Sequence, residues 1–163
     1  MSDNEMLPTW SRTFEVGLER IDCEHKMILS ALTDFLITVE NDLGQRLAIR
    51  VLRVLYNYTK SHFENEEQIM RDIEYELLDE HHWWHGEFLE RLEGVRDRFQ
   101  SGENVCESLI GLFRNFLHQH ILVDDAKIGE FARGLPQAIS AFGRLPCPSE
   151  DGPGHPGRAD IDR

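Results

Sequence analysis

The sequence predicts an all-α fold: an up-down antiparallel four-helix bundle with an N-terminal extended arm, a short C-terminal helix and a disordered tail. Three observations lead there. Four long segments carry apolar residues at three- and four-residue spacing, the repeat of a single helix face. Short clusters of turn-forming residues separate them, which makes successive helices antiparallel neighbours. The last stretch turns rich in proline and glycine and offers hardly any apolar residue to bury.

Residues 1–21 read as the arm. Pro8 discourages an early helix, and Trp10, Phe14, Val16 and Ile21 are apolar anchors without helical period. Asp22 is a plausible N-cap for a first helix running to about Glu40. His25, Ile28, Leu29, Leu32, Phe35, Leu36 and Val39 share its inner face. Asn41, Asp42 and Gly44 make the turn. The second helix spans about 45–71, with the stripe Leu47, Val51, Val54, Leu55, Tyr58, His62, Glu66 and Ile69. The third carries Leu78, His81, His85, Phe88, Leu92, Val95 and Phe99, at gaps that alternate between three and four. His82 is rotated off that stripe by about 100°. Ser101 to Asn104 stop it. The fourth points Val105, Leu109, Leu112, Phe113, Phe116 and His120 inward, with a helix break expected across residues 121–125. A last short helix packs through Ile128, Phe131 and Ala132 and ends at Gly134 and Pro136. The expected division is one domain over 1–143 and a disordered Pro/Gly-rich tail over 144–163.

Composition narrows the partners. The net charge is −13, with 17 Lys and Arg against 30 acidic residues. That argues against nucleic acid and against an anionic membrane surface. No apolar run is long enough to span a bilayer, and the acidic N-terminus lacks a signal-peptide core. Three cysteines without Cys-x-x-Cys spacing argue against a disulfide framework or a thiolate metal site. Cys23 and Cys106 read as small structural residues and Cys147 as a tail thiol, and a cytoplasmic location fits best. Apolar residues outside the core are too scattered to argue for a dimer, so a monomer is expected.

The chemistry lies in the inward polar residues. His62 and Glu66 are four apart, as are His81 and His85, and each pair continues an apolar stripe without changing its phase. His25 and His120 lie on inner faces, with Asp125 just past His120. Burying five imidazoles and two carboxylates together without metal would cost several kcal/mol in unpaired polar groups. Seven ligands are too many for one ion but suit two ions bridged by carboxylates. Imidazole with carboxylate suits iron, manganese, copper or zinc, and poorly suits calcium or magnesium. There is no Glu-x-x-His pair of the di-iron carboxylate enzymes. A nitrogen-rich site favours reversible oxygen binding over oxidative chemistry. Trp83 and Trp84 read as packing residues. His118 is set aside as facing nearly opposite to His120, and His155 as lying in the tail.

These pieces together resemble the hemerythrin family. They are Trp10 with Phe14-Glu15-Val16-Gly17, Ile21-Asp22-x-Glu24-His25, His62-Phe63-x-x-Glu66-Glu67, His81-x-x-x-His85-x-x-Phe88, and Phe116-Leu117-x-x-His120-Ile121-x-x-x-Asp125. The order is that of the family, and the likeness covers roughly residues 10 to 133. It implies a non-haem di-iron centre that binds dioxygen reversibly. His81, His85 and His120 would hold one iron, and His25 and His62 the other. Glu66 and Asp125 would bridge them together with an oxo or hydroxo group, leaving an open position on the iron of His25 and His62. Phe63, Phe116 and Leu117 are placed to wall that position. The family often has Trp at Phe116, and Gly-Tyr-Pro in the turn that here reads Asp72 to Glu76.

The resemblance implies oxygen storage, transport or delivery to oxygen-requiring enzymes rather than catalysis. The alternatives are an oxygen or redox sensor acting through a partner, and a di-iron enzyme scavenging peroxide or nitric oxide. A sensor would need an output that this chain does not obviously carry. An enzyme would need a general acid that the apolar wall lacks.

Overall fold

The computed structural model describes residues 10–135. The expected termini, 1–9 and the tail from 136 onward with Cys147 and His155, lie outside the described residues, as does the proposed boundary at 143. Among the described residues the secondary structure is helical throughout, with no strand. A 3₁₀ turn, Arg12–Phe14, precedes four helices: α1 (Glu19–Glu40), α2 (Gln45–Asp72), α3 (Leu78–Gln100) and α4 (Cys106–Asn115). A π-helical segment, Phe116–Asp125, prolongs α4 and leads into α5 (Ala126–Arg133). No helix among these residues is long and apolar enough to cross a membrane.

The turns make the bundle antiparallel. α1, α2 and α3 end alike, with a residue of positive φ just past the helix: Asp42, Glu74 and Gly102. At the third, Glu103 N–H donates to Arg98 O at 3.1 Å and Gly102 N–H to Phe99 O at 3.0 Å. That is a Schellman closure, which satisfies carbonyls left over by the helix. The chain can then reverse within a few residues.

The reversal sets what meets what. The start of α1, the end of α2, the start of α3 and the extension of α4 all lie at one end of the bundle, and those are the places where the inward histidines fall. The rest of the interior is apolar. Ile28, Leu32, Phe35, Leu52, Leu55, Leu92, Leu109 and Phe113 are fully buried, and Phe35 meets Phe99 edge to face at 5.2 Å. These side chains are the main favourable term in folding, roughly 1.5–3 kcal/mol each against conformational entropy.

The arm lies over the histidine-bearing end, with Trp10 6.2 Å from His25. Phe14, Val16 and Ile21 are buried, and so is Leu18. The role expected for Asp22 is corrected. α1 begins at Glu19, ahead of it. The Asp22 carboxylate instead accepts hydrogen bonds from Val16 N–H at 2.7 Å and Gly17 N–H at 3.1 Å, tying the arm to the helix. Two further corrections are smaller. Phe131 is 40% exposed and rests on Tyr75 rather than filling the core. Cys106 is a free thiol, but Cys23 is disulfide-bonded, not a plain structural thiol.

Candidate metal centre

All seven candidate ligands are buried and meet. His25, His62, His120 and Asp125 have no measurable exposure, Glu66 and His85 are at 1% and 2%, and His81 is at 7%. The Nε2 atoms of His25 and His62 are 3.1 Å apart, and those of His85 and His120 are 3.2 Å apart. Two nitrogens that each bind one metal at about 2.1 Å, at right angles, lie about 3 Å apart. Glu66 Oε2 stands 3.1 Å from His81 Nε2, 3.3 Å from His85 Nε2, 3.7 Å from His120 Nε2 and 4.0 Å from His62 Nε2. Asp125 divides its oxygens. Oδ2 is 3.3 Å from His25 Nε2, and Oδ1 is 3.2 Å from His120 Nε2 and 3.4 Å from His81 Nε2.

Two ligand groups result, each able to surround one ion: Glu66 with His81, His85 and His120, and Glu66 and Asp125 with His25 and His62. The donor chemistry fits divalent transition metal. Both Asp125 oxygens are buried without a hydrogen-bond partner, although three imidazole nitrogens stand within ion-pair range. Burial, and then the Glu66 carboxylate, hold the Asp125 carboxyl well above its ordinary range. Burial pushes Glu66 the same way, but hydrogen bonds from His120, His81 and His85 prevail and keep it well below the usual carboxylate value. Cations between these carboxylates would remove the conflict.

His25 and His120 are poised as neutral donors. Burial, and then the neighbouring His62, hold His25 well below its ordinary value, and burial brings His120 from 6.5 to about 3. A histidine kept neutral in the fold gains a proton on unfolding, so its contribution is lost as pH falls from the unfolded value toward the folded one. Asp125 and Asp22, raised in the fold, work in the opposite sense, but His25 and His120, together with the lowered Glu66 and Glu67, outnumber them. The metal-free chain is therefore expected to lose stability from about pH 6.5 downward, with His120 alone worth on the order of 5 kcal/mol by pH 3. Urea midpoints at several pH values check this, and a midpoint that stays flat or rises on acidification contradicts it.

The way Asp125 reaches the site corrects the expected helix break. In an α-helix a residue five positions on is rotated by about 140° from the first. Residues 116–125 instead follow an i→i+5 pattern, and Ala126 N–H donates to Ile121 O. One wide turn then separates His120 from Asp125, and both face inward.

Aromatic rings hold the imidazoles in place. Phe63 stacks on His85 with centroids 3.7 Å apart, and Trp84 stacks on His120 at 4.0 Å. Phe116 stands edge-on to His25 and His62 at 6.0 and 6.3 Å. Leu117 is buried beside it. Trp10 from the arm lies 6.2 Å from His25, with Lys26 over its ring. Trp84 thus packs, as expected, but directly on a candidate ligand, while Trp83 is 64% exposed. His82 and His118 lie outside the centre, as their helical phase required.

Sequence reasoning gave no role to Glu24 and Glu67. Each stands directly behind the ring of a candidate ligand: His62 Nδ1–H donates to Glu24 Oε2 at 3.2 Å, and His85 Nδ1–H donates to Glu67 Oε1 at 2.8 Å. The signal was their position next to His25 and Glu66, which helical phase alone reads as off the stripe.

Comparison with known proteins agrees with this geometry. A family model described as the hemerythrin HHE cation binding domain matches residues 16–132. A bacteriohemerythrin of Pseudomonas paraeruginosa is 34% identical over 117 residues, covering 72% of this chain and 76% of that protein. A bacteriohemerythrin of Stenotrophomonas maltophilia is 31% identical over 136 residues, covering 78% and 88%. A myohemerythrin of Theromyzon tessulatum is 31% identical over 118 residues, covering 72% and 88%. No solved structure matches. A four-helix bundle, buried His and carboxylate groups that could hold metal and a family match across most of the chain converge: the chain belongs to the hemerythrin family.

Proposed function

We propose that this chain binds dioxygen reversibly at two iron ions, as a carrier or store and not as an enzyme. The observation that carries the reading is the shared pair of carboxylates. Glu66 belongs to both ligand groups, and Asp125 turns one oxygen toward each. His81, His85 and His120 would hold one ion, and His25 and His62 the other. With one histidine fewer, the second position is the one left open to a small molecule. Ferrous ions held there would supply the electrons that dioxygen needs on binding and recover them on its release.

The residues around the site then act by exclusion. Phe63, Phe116 and Leu117 are buried at 2% or less and form the apolar wall. Such a wall keeps out water and anions, which would favour loss of the electrons to solvent. Neither phenyl ring nor the leucine can supply a proton, so the wall supports binding better than acid–base turnover. Oxygen storage, transport or delivery to oxygen-requiring enzymes are the uses that fit a carrier of this kind.

The test is the visible spectrum of iron-loaded protein, reduced under nitrogen, exposed to air and then purged. A charge-transfer band that appears with air and fades on purging is the expected result. Its absence from protein shown by metal analysis to hold two irons would overturn the carrier reading.

A further inference from the structure

Behind each ligand group stands one carboxylate that belongs to neither. Glu24 backs His62, and Glu67 backs His85. Those two histidines fall in different groups. Their Nε2 edges face the interior, so Nδ1 is the rear edge and its hydrogen goes to the carboxylate. By contrast, the rear Nδ1 atoms of His25 and His120 are buried without a partner.

Both carboxylates are steadied from the outer side. Glu24 Oε1 accepts from Asn65 Nδ2 at 2.8 Å and from Arg20 Nε. Glu67 Oε2 faces His82 Nδ1 at 2.9 Å and Arg71 Nη1 at 3.9 Å. The backing of His62 thus joins α1 to α2, and that of His85 joins α2 to α3. An acceptor behind an imidazole selects the tautomer with Nε2 free, fixes the ring plane and makes Nε2 a stronger donor.

We propose that Glu24 and Glu67 are positioning residues, one for each metal position, so that two different carboxylates set the affinities of the two positions separately. This rests on reading the seven buried residues as a two-ion site. An outer carboxylate of this kind commonly contributes 10- to 100-fold in metal affinity. The two contacts share no residue, so each carboxylate acts first on the group it backs.

The experiment is a zinc titration of the full chain against a chromophoric chelator. It compares the wild type with Glu24→Gln and Glu67→Gln, each also placed on His62→Ala and His85→Ala backgrounds. Glutamine keeps the size and an accepting oxygen but removes the charge. The wild type is expected to take two ions. Each glutamine variant is expected to weaken one binding step by roughly 10- to 100-fold and leave the other within about threefold. Glu67→Gln is expected to add little to His85→Ala but to keep its full effect on His62→Ala, and Glu24→Gln to do the reverse. Thermal unfolding of the metal-free chains provides the control, since a purely structural role would lower stability without this pairing. Variants that weaken both steps equally, that match the wild type, or whose effects multiply within their own pair would overturn the proposal. A wild type that binds fewer than two ions would overturn the two-ion reading itself.

Discussion

Replacing Glu66 with alanine is expected to lower bound metal from two ions per chain to one at most, and to abolish the air-dependent band. Glu66 is the residue on which both ligand groups depend. Its Oε2 atom is within 4.0 Å of four of the five imidazoles. Without it, one group is left with three nitrogens and the other with two, and Asp125 is the single carboxylate they share. Two dications in a buried site are held poorly by neutral donors and one carboxylate, because a single negative charge offsets little of the lost hydration. The effect should greatly exceed that of Glu67→Gln, although the two residues are adjacent, since Glu67 touches only a ring. Metal analysis after gel filtration reads the result. Retention of two ions would show that the bridge has been assigned to the wrong carboxylate.

The second large effect concerns the arm. Gly129→Ala is expected to destabilise the protein by about 2–4 kcal/mol, or roughly 5–15 °C in melting temperature. A Cβ at Gly129 would lie 2.0 Å from Val16 O and 3.3 Å from Val16 Cβ. Neither side can retreat easily. Val16 O accepts from Arg133 Nη1 at 3.0 Å, and Val16 N–H donates to Asp22. Separating arm from helix would break those bonds. The sign is informative, because helix propensity alone favours alanine over glycine by about 1 kcal/mol. A thermal melt of the variant decides between them. A melting temperature equal to or above that of the wild type would mean that the arm yields freely.

Both expectations depend on contacts that the sequence carries unequally. Helix faces were legible because Leu32 and Phe35, Val51 and Leu55, Leu92 and Val95, and Leu109 and Phe113 fall three or four apart within their helices, and the same period exposed His62, Glu66, His81 and His85 as polar residues in an apolar stripe. Asp125 was harder. A fixed step of 100° per residue turns it away from His120, and only the wider i→i+5 turn returns it, a backbone choice that no single residue announces. Glu24 and Glu67 were illegible for a related reason. They approach the site from behind the rings, so they sit beside the stripe and not on it. Asp22 looked like a cap because acidic residues often open helices; its carboxylate caps the arm's backbone instead. The Gly129 contact joins residues more than a hundred positions apart, beyond the reach of any local pattern.

The two buried oxygens of Asp125 that find no hydrogen-bond partner have a consequence for the life of the protein in a cell. On the two-ion reading proposed above, metal would satisfy these atoms, and its binding free energy would add to that of folding. Freshly made chains would open more often when iron is scarce, and opened chains are the ones that proteases remove. The quantity of this protein would then follow iron supply without any change in its synthesis.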